Sequence, residues 1–275
     1  MTLALVPVFL LLGAFVGFLA GLLGIGGGFT MVPVLTEIFG RQGIGISHLL
    51  PLSIGTSAAS IVFSALASVR AHHRRGAVQW SIVTAMAPGL VVGSLLGPQV
   101  ASALPMRVMA AVFGSFTWLT AVRMMMSSGA TRATRELPGR AAMFGVGTVI
   151  GLAAGMVGTG GAFLAVPFMT RCNVKLHNAV ATSAAIGLPV AVASAAGYVF
   201  AGWSASGLPS YSMGYVYVPA MVAIVTMSML FAPLGARVAH AWPVARLRKV
   251  FAFMMWVLGG WMWWKALGVW LSQAS

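Results

Sequence analysis

The sequence predicts an all-α polytopic membrane protein made of two inverted repeats, each a Gly-rich broken or re-entrant helix hairpin plus three crossing helices, about eight hydrophobic segments in all. Three observations predict it. The 275 residues are 60% hydrophobic and only 7% charged, where a soluble domain carries about 25% charged residues. A glycine-rich phrase is written twice, GFLAGLLGIGGGFTMVPVL at 17–35 and GLAAGMVGTGGAFLAVPFM at 151–169. Gly21, Gly24, Gly26, Gly27 and Pro33 thereby match Gly155, Gly158, Gly160, Gly161 and Pro167 at one offset of 134 residues. Third, the basic residues sort to one side of a bilayer only when each phrase folds back on itself.

In chain order, the apolar runs cover 5–25, 44–69, 77–101, 105–127, 141–158, 177–202, 214–236 and 250–271, each close to the ~20 residues that cross hydrocarbon. The first run opens MTLALVPVFLLL, without a basic leader or a small-residue cleavage site, so it reads as a retained membrane segment. Similarity between the halves extends past the glycine phrase: Gly97, Pro105 and Phe113 recur as Gly235, Pro243 and Phe251 at an offset of 138. Residues 1–127 form repeat 1 and 141–275 repeat 2, joined by a polar cytoplasmic linker at 128–140 that carries Glu136.

Lys and Arg accumulate in cytoplasmic loops. If all eight runs simply alternate, the sixteen basic residues divide eight against eight and select no orientation. If residues 5–39 and 141–170 are hairpins that return to the side they came from, thirteen lie inside and only Arg41, Arg107 and Lys265 outside. Three crossings per half then invert one copy relative to the other and put both termini outside. The formal charge of +14 is spread over short loops that meet anionic lipid, a pattern that argues against nucleic acid as partner. Cys172, the sole cysteine, excludes an intrachain disulfide, and a metal site is not expected. Trp256, Trp261, Trp263, Trp264 and Trp270 in the last run suit an interfacial aromatic belt.

Gly24-Ile25-Gly26-Gly27-Gly28 is a poor helix, since each glycine costs about 1 kcal/mol relative to alanine. A break there exposes backbone N–H groups at the start of the next short helix, Phe29 to Phe39, where the partial positive charge of a helix N-terminus cradles anions. Gly26, Gly27 and Gly28, with Thr159, Gly160 and Gly161 in the second copy, are the candidate binding residues. Irregular backbone at membrane depth must be buried in protein or line a cavity, so the two tips are expected to meet. Close helix packing by small residues is the competing reading of the same glycines. Thr56-Ser57 and Thr182-Ser183 follow each hairpin and offer neutral hydroxyl donors, with Asn178 nearby; the alternative is a hydroxyl bonded to its own helix carbonyl. Glu37 is a candidate for proton coupling, or else the ion-pair partner of Arg41 four residues on. His48 and His177 are candidates for gating or coupling, with an interfacial role as the alternative. His72-His73, beside Arg74-Arg75, reads as a solvated loop.

GLLGIGGGFTMVPVL, GTSAAS, RRGAVQW at 74–80, GTGGAFLAVPFM and PLGARVAHAWP at 233–243 together resemble the sulfite exporter TauE/SafE family, also called toluenesulfonate uptake permeases, over nearly the whole chain. The resemblance implies a multi-pass permease of the bacterial inner membrane, its termini then periplasmic, moving small sulfur-containing anions such as sulfite, sulfoacetate or other organosulfonates. It carries the translocation site to Gly26, Gly27, Gly28, Thr56, Ser57, Gly160, Gly161, Thr182 and Ser183. Ala162, standing where the first copy has Gly28, makes the two tips unequal.

An anion leaving a cell that is negative inside gains about 2.3 kcal/mol per charge per 100 mV. With no Asp and only two Glu to carry a coupling proton, export is favoured over proton-coupled uptake. A membrane hydrolase lacks the necessary nucleophile and base, so no catalytic residue and no cofactor is expected. A non-transporting assembly factor is the remaining rival, and a homo-oligomer is compatible with the sequence.

Overall fold

The computed structural model describes residues 5–23, 28–126, 136–241 and 244–274. In the first copy α1 (Val6–Leu23) and α2 (Gly28–Arg41) precede α3 (Ile46–Arg74), α4 (Trp80–Ala103) and α5 (Met106–Met126). In the second, α6 (Arg140–Val157) and α7 (Ala162–Arg171) precede α8 (Leu176–Ala201). A short antiparallel ribbon of β1 (Ser212–Met213) and β2 (Val216–Tyr217) then leads into α9 (Val218–Ala241) and α10 (Val244–Ala274). Each of the eight apolar runs holds one helix, and α2 and α7 are the short second limbs of the hairpins. By length and composition, α3, α4, α6 and α8 are the described helices able to cross a membrane. Of the expected linker, only residues 136–140 are described.

The first hairpin doubles back. The rings of Phe9, early in α1, and Phe39, late in α2, stand 6.3 Å apart, and Tyr217 contacts both at 6.2 and 5.9 Å. In the second copy Met143, early in α6, and Met169, late in α7, share one buried cluster.

The copies pack by exchanging partners. Helix α1 lies along α9, and α6 lies along α4, each pair parallel and each joining one copy to the other. A methyl group on Gly13 would sit 2.6 Å from the Ile224 carbonyl oxygen, and one on Gly147 would sit 2.6 Å from the Met86 carbonyl oxygen. Gly13 and Gly147 are 134 residues apart, while Met86 and Ile224 are 138 apart, so these are one contact made twice. The next turn repeats it, with Gly17 against Ser228 and Gly151 against Leu90. Glycine is needed at these positions because lipid supplies no hydrophobic drive between helices, leaving close backbone approach to hold them.

Helices α3 and α8 run antiparallel, Gly55 near the start of one packing on Tyr198 near the end of the other. Helices α5 and α10 also cross antiparallel, and there Trp118 stacks on its own repeat mate Trp256, 138 residues on, with ring centroids 6.2 Å apart and planes 10° from parallel. Trp118 also donates from Nε1 to the Trp256 carbonyl at 2.9 Å.

Candidate functional site

The second glycine phrase is fully described and shows how the turn is made. Gly158 caps α6 at φ +70°, its N–H returning to the Ala154 carbonyl at 2.8 Å. Three residues later Gly161 stands at φ +69° as the residue before α7. Two left-handed residues this close reverse the chain sharply, and a β-carbon at either would be strained. Gly161 offers its carbonyl to the N–H groups of both Leu164 and Ala165 at 3.1 Å, and no side chain caps the helix. Among the described residues, the N–H groups of Gly160, Gly161 and Ala162 therefore have no acceptor. Such orphan donors at a helix start require a partner when buried.

The other copy closes on this turn. At Gly28, the first residue of α2, an added methyl group would lie 2.6 Å from the Gly158 carbonyl oxygen and 2.8 Å from Ile61 Cδ1. Gly26 and Gly27 lie outside the described residues. Gly158 packs on Ile54 of α3, and the Gly160 carbonyl faces Gly187 of α8, 3.2 Å from where a methyl there would stand. Ile54 and Ile61 are seven residues apart on one face of α3, and Ser57 lies between them on that face.

Hydroxyl groups separate the functional candidates from the structural ones. Thr36, Ser53, Ser60 and Thr117 each donate to the carbonyl four residues back, at 2.7 to 2.8 Å. Ser183 behaves similarly, donating to the Val180 carbonyl at 2.8 Å. Thr159 Oγ1 and Ser57 Oγ are buried with no partner among the described residues. Thr56 and Thr182 are used differently again: Thr56 Oγ1 accepts the Tyr217 N–H at 3.0 Å, and Thr182 Oγ1 accepts the Gln79 N–H at 3.0 Å. Thr182 repeats Thr56, and Tyr217 repeats Gln79, so each copy's threonine holds the residue that leads into the other copy's helix, α9 or α4. A hydroxyl that accepts through a lone pair still has its proton to give.

The remaining candidates sit toward the ends of the bundle. His48 Nδ1 lies 3.1 Å from the Tyr215 hydroxyl. His177 is exposed, close to His72. Glu37 accepts from Arg41 Nε at 2.9 Å and, 228 residues away in sequence, from Lys265 Nζ at 2.7 Å. It borders a cavity of about 1000 Å³ at the end where α2 finishes, lined also by Val34, Arg41, Gln42, Leu208 and Trp261.

Sequence reasoning missed residues 202–217. They fold back so that the Tyr215 carbonyl rests against Gly55 and the Tyr215 N–H reaches the Tyr198 carbonyl at 3.1 Å. The signal was present in YSMGYVYV, a period-two run around a glycine.

Electrostatically the turn is bare. Along the helices that meet there, the nearest charged or titratable side chains are Glu37 on α2, His48 and Arg70 on α3, Arg140 on α6, Arg171 on α7, and His177 and Tyr198 on α8. Counted from the turn or from its contacts at Gly28, Ile54, Ile61 and Gly187, His48 is six residues away, about 9 Å at 1.5 Å per residue, and the others are nine or more, about 13 Å or more; nearer in space is the neutral Tyr198 hydroxyl, which donates to the Met156 carbonyl at 3.3 Å. The arrangement can bind a small negatively charged solute through neutral donors alone, the economical way to hold an ion that must also leave.

Known sequences place the chain. A family model described as Sulfite exporter TauE/SafE matches residues 9–262. A probable membrane transporter protein of Haemophilus influenzae is 32% identical over 247 residues, covering 90% of this chain and 93% of the relative. Probable membrane transporter proteins of Methanocaldococcus jannaschii and Bacillus subtilis are each 24% identical, over 94% and 85% of this chain and 95% and 90% of their own. No solved structure matches it.

Proposed function

The chain belongs to the sulfite exporter TauE/SafE family of membrane transporters, and on that premise we propose that it exports small sulfur-containing anions, sulfite or an organosulfonate, across the bacterial inner membrane. The anion rests beside the second glycine turn, on the N–H groups of Gly160, Gly161 and Ala162 and the hydroxyls of Thr159 and Ser57. Gly28 closes the site from the first copy, while Thr56, Thr182 and Ser183 flank it. The carrying observation is that three backbone donors and two buried hydroxyls without partners among the described residues occur where the copies touch.

The two copies are inverted in the membrane, with both termini periplasmic. Supporting this are the antiparallel α3 and α8, the returning first hairpin, and the gathering of Arg41, Lys265 and Glu37 at one end. Access alternates between the sides as the copies rock against each other. Outward movement of an anion down the membrane potential requires no coupled proton, and Glu37, held by two cations, is suited to tying α2 to α10 instead.

Labelled sulfite or organosulfonate efflux, measured in cells with and without the protein, tests the reading. Faster efflux with the protein is expected; equal rates for every sulfur anion tried would remove it.

A further inference from the structure

We infer that the site beside the second glycine turn admits monoanions and turns away dianions, so that sulfite passes as hydrogen sulfite and sulfonates with a single charge pass at any pH, while sulfoacetate, a dianion near neutrality, is turned away. This rests on the proposed transport of sulfur anions and narrows it. Two independent observations define the site as one built for a ligand. Among the described residues, the ten-residue α7 begins with backbone donors that have no acceptor. Thr159, 7% exposed, and Ser57, fully buried, each carry a hydroxyl without a partner among the same residues.

Every donor in this set is neutral. The helix start contributes roughly half a positive charge, which offsets much of one negative charge and little of two. The compensating cation that a dianion requires is missing from each element that meets at the turn: Arg70, Arg140 and Arg171 stand far along their helices, His48 and His177 near the ends of theirs, and α2 offers only the carboxylate of Glu37. Leaving water for a medium of low dielectric costs a free ion in proportion to the square of its charge, so a second charge raises the penalty about fourfold. Nothing in the site returns that difference. Protonation of sulfite occurs in bulk water before binding, and the protein itself need not titrate.

The test uses the full chain in proteoliposomes, with sulfite and methanesulfonate as paired probes and protein-free vesicles to subtract unassisted leakage. As pH rises through the second ionisation of sulfite, near neutrality, sulfite flux is expected to fall with the monoanion, about tenfold per pH unit once the dianion dominates. Methanesulfonate flux should stay level, and sulfate should not move. Thr159→Val and Ser57→Ala should lower both fluxes without changing either pH profile. Sulfite flux that is flat or rises with pH, or sulfate moving as fast as methanesulfonate, overturns the inference while leaving anion transport intact. Movement of none of the three overturns the transport reading as well.

Discussion

The two copies differ most in the link between their second and third long helices. In the first, α3 passes to α4 through residues 75–79; in the second, α8 passes to α9 through residues 202–217, which carry the β-ribbon. Both links end on the same bond, Gln79 held by Thr182 and Tyr217 held by Thr56. Only the longer one adds a hydroxyl contact to His48 and a carbonyl seated on Gly55. The duplicated part therefore supplies the interlock, and the unduplicated part makes the two ends of the bundle unlike. Under the alternating access proposed above, that inequality would set which side is closed more firmly.

Substitutions at the glycine turns offer the largest effect with which to break this comparison. Gly161→Val places a β-branched residue where φ is +69° and its Cβ 3.3 Å from Ile150. We expect a flux loss of at least about a hundredfold, the scale on which small misplacements of a site act, with membrane insertion intact. If the second turn is the working one, Gly27→Val in the first copy costs less, and equal losses would mean the tips share the work.

Next in size is the pair Thr56→Val and Thr182→Val. Each leaves a backbone N–H without its acceptor, at a cost of about 1–3 kcal/mol. Hydrogen exchange in lipid discs should show lost protection at Tyr217 in the first variant and at Gln79 in the second, by about tenfold or more. Loss at both amides in either variant would indicate that the ends are not separately held.

The smallest effect is expected from Lys265→Met. Both partners are about one quarter exposed, at 26%, and Glu37 keeps Arg41, so the loss should be about 1 kcal/mol or less. A thermal melt in detergent shifted by only a few degrees fits; collapse of the fold would make this ion pair the main tie at its end.

The hairpins, the duplication and the glycine turn were legible because each rests on local chemistry: consecutive glycines cannot continue a helix, and a repeated phrase announces itself. The use of Thr56 and Thr182 was not, since their donors lie 161 and 103 residues away and are backbone groups that any residue type would provide. Lys265 was read as an outer charge, yet its meeting with Glu37 depends on how α10 packs against α2. Ser183 took the local alternative open to any membrane-helix serine, bonding its own helix, while Ser57 did not; the two share a sequence context and differ in what faces them.

The exchange of helix partners has a consequence for biosynthesis. The mate of Gly13 is Ile224, synthesised roughly 10 to 40 s later at 5–20 residues per second. Until then α1 stands in lipid with its glycine ridge uncovered, so neither half is a finished unit when it leaves the ribosome. Halves produced as separate polypeptides should be short-lived alone and rescue each other when made together.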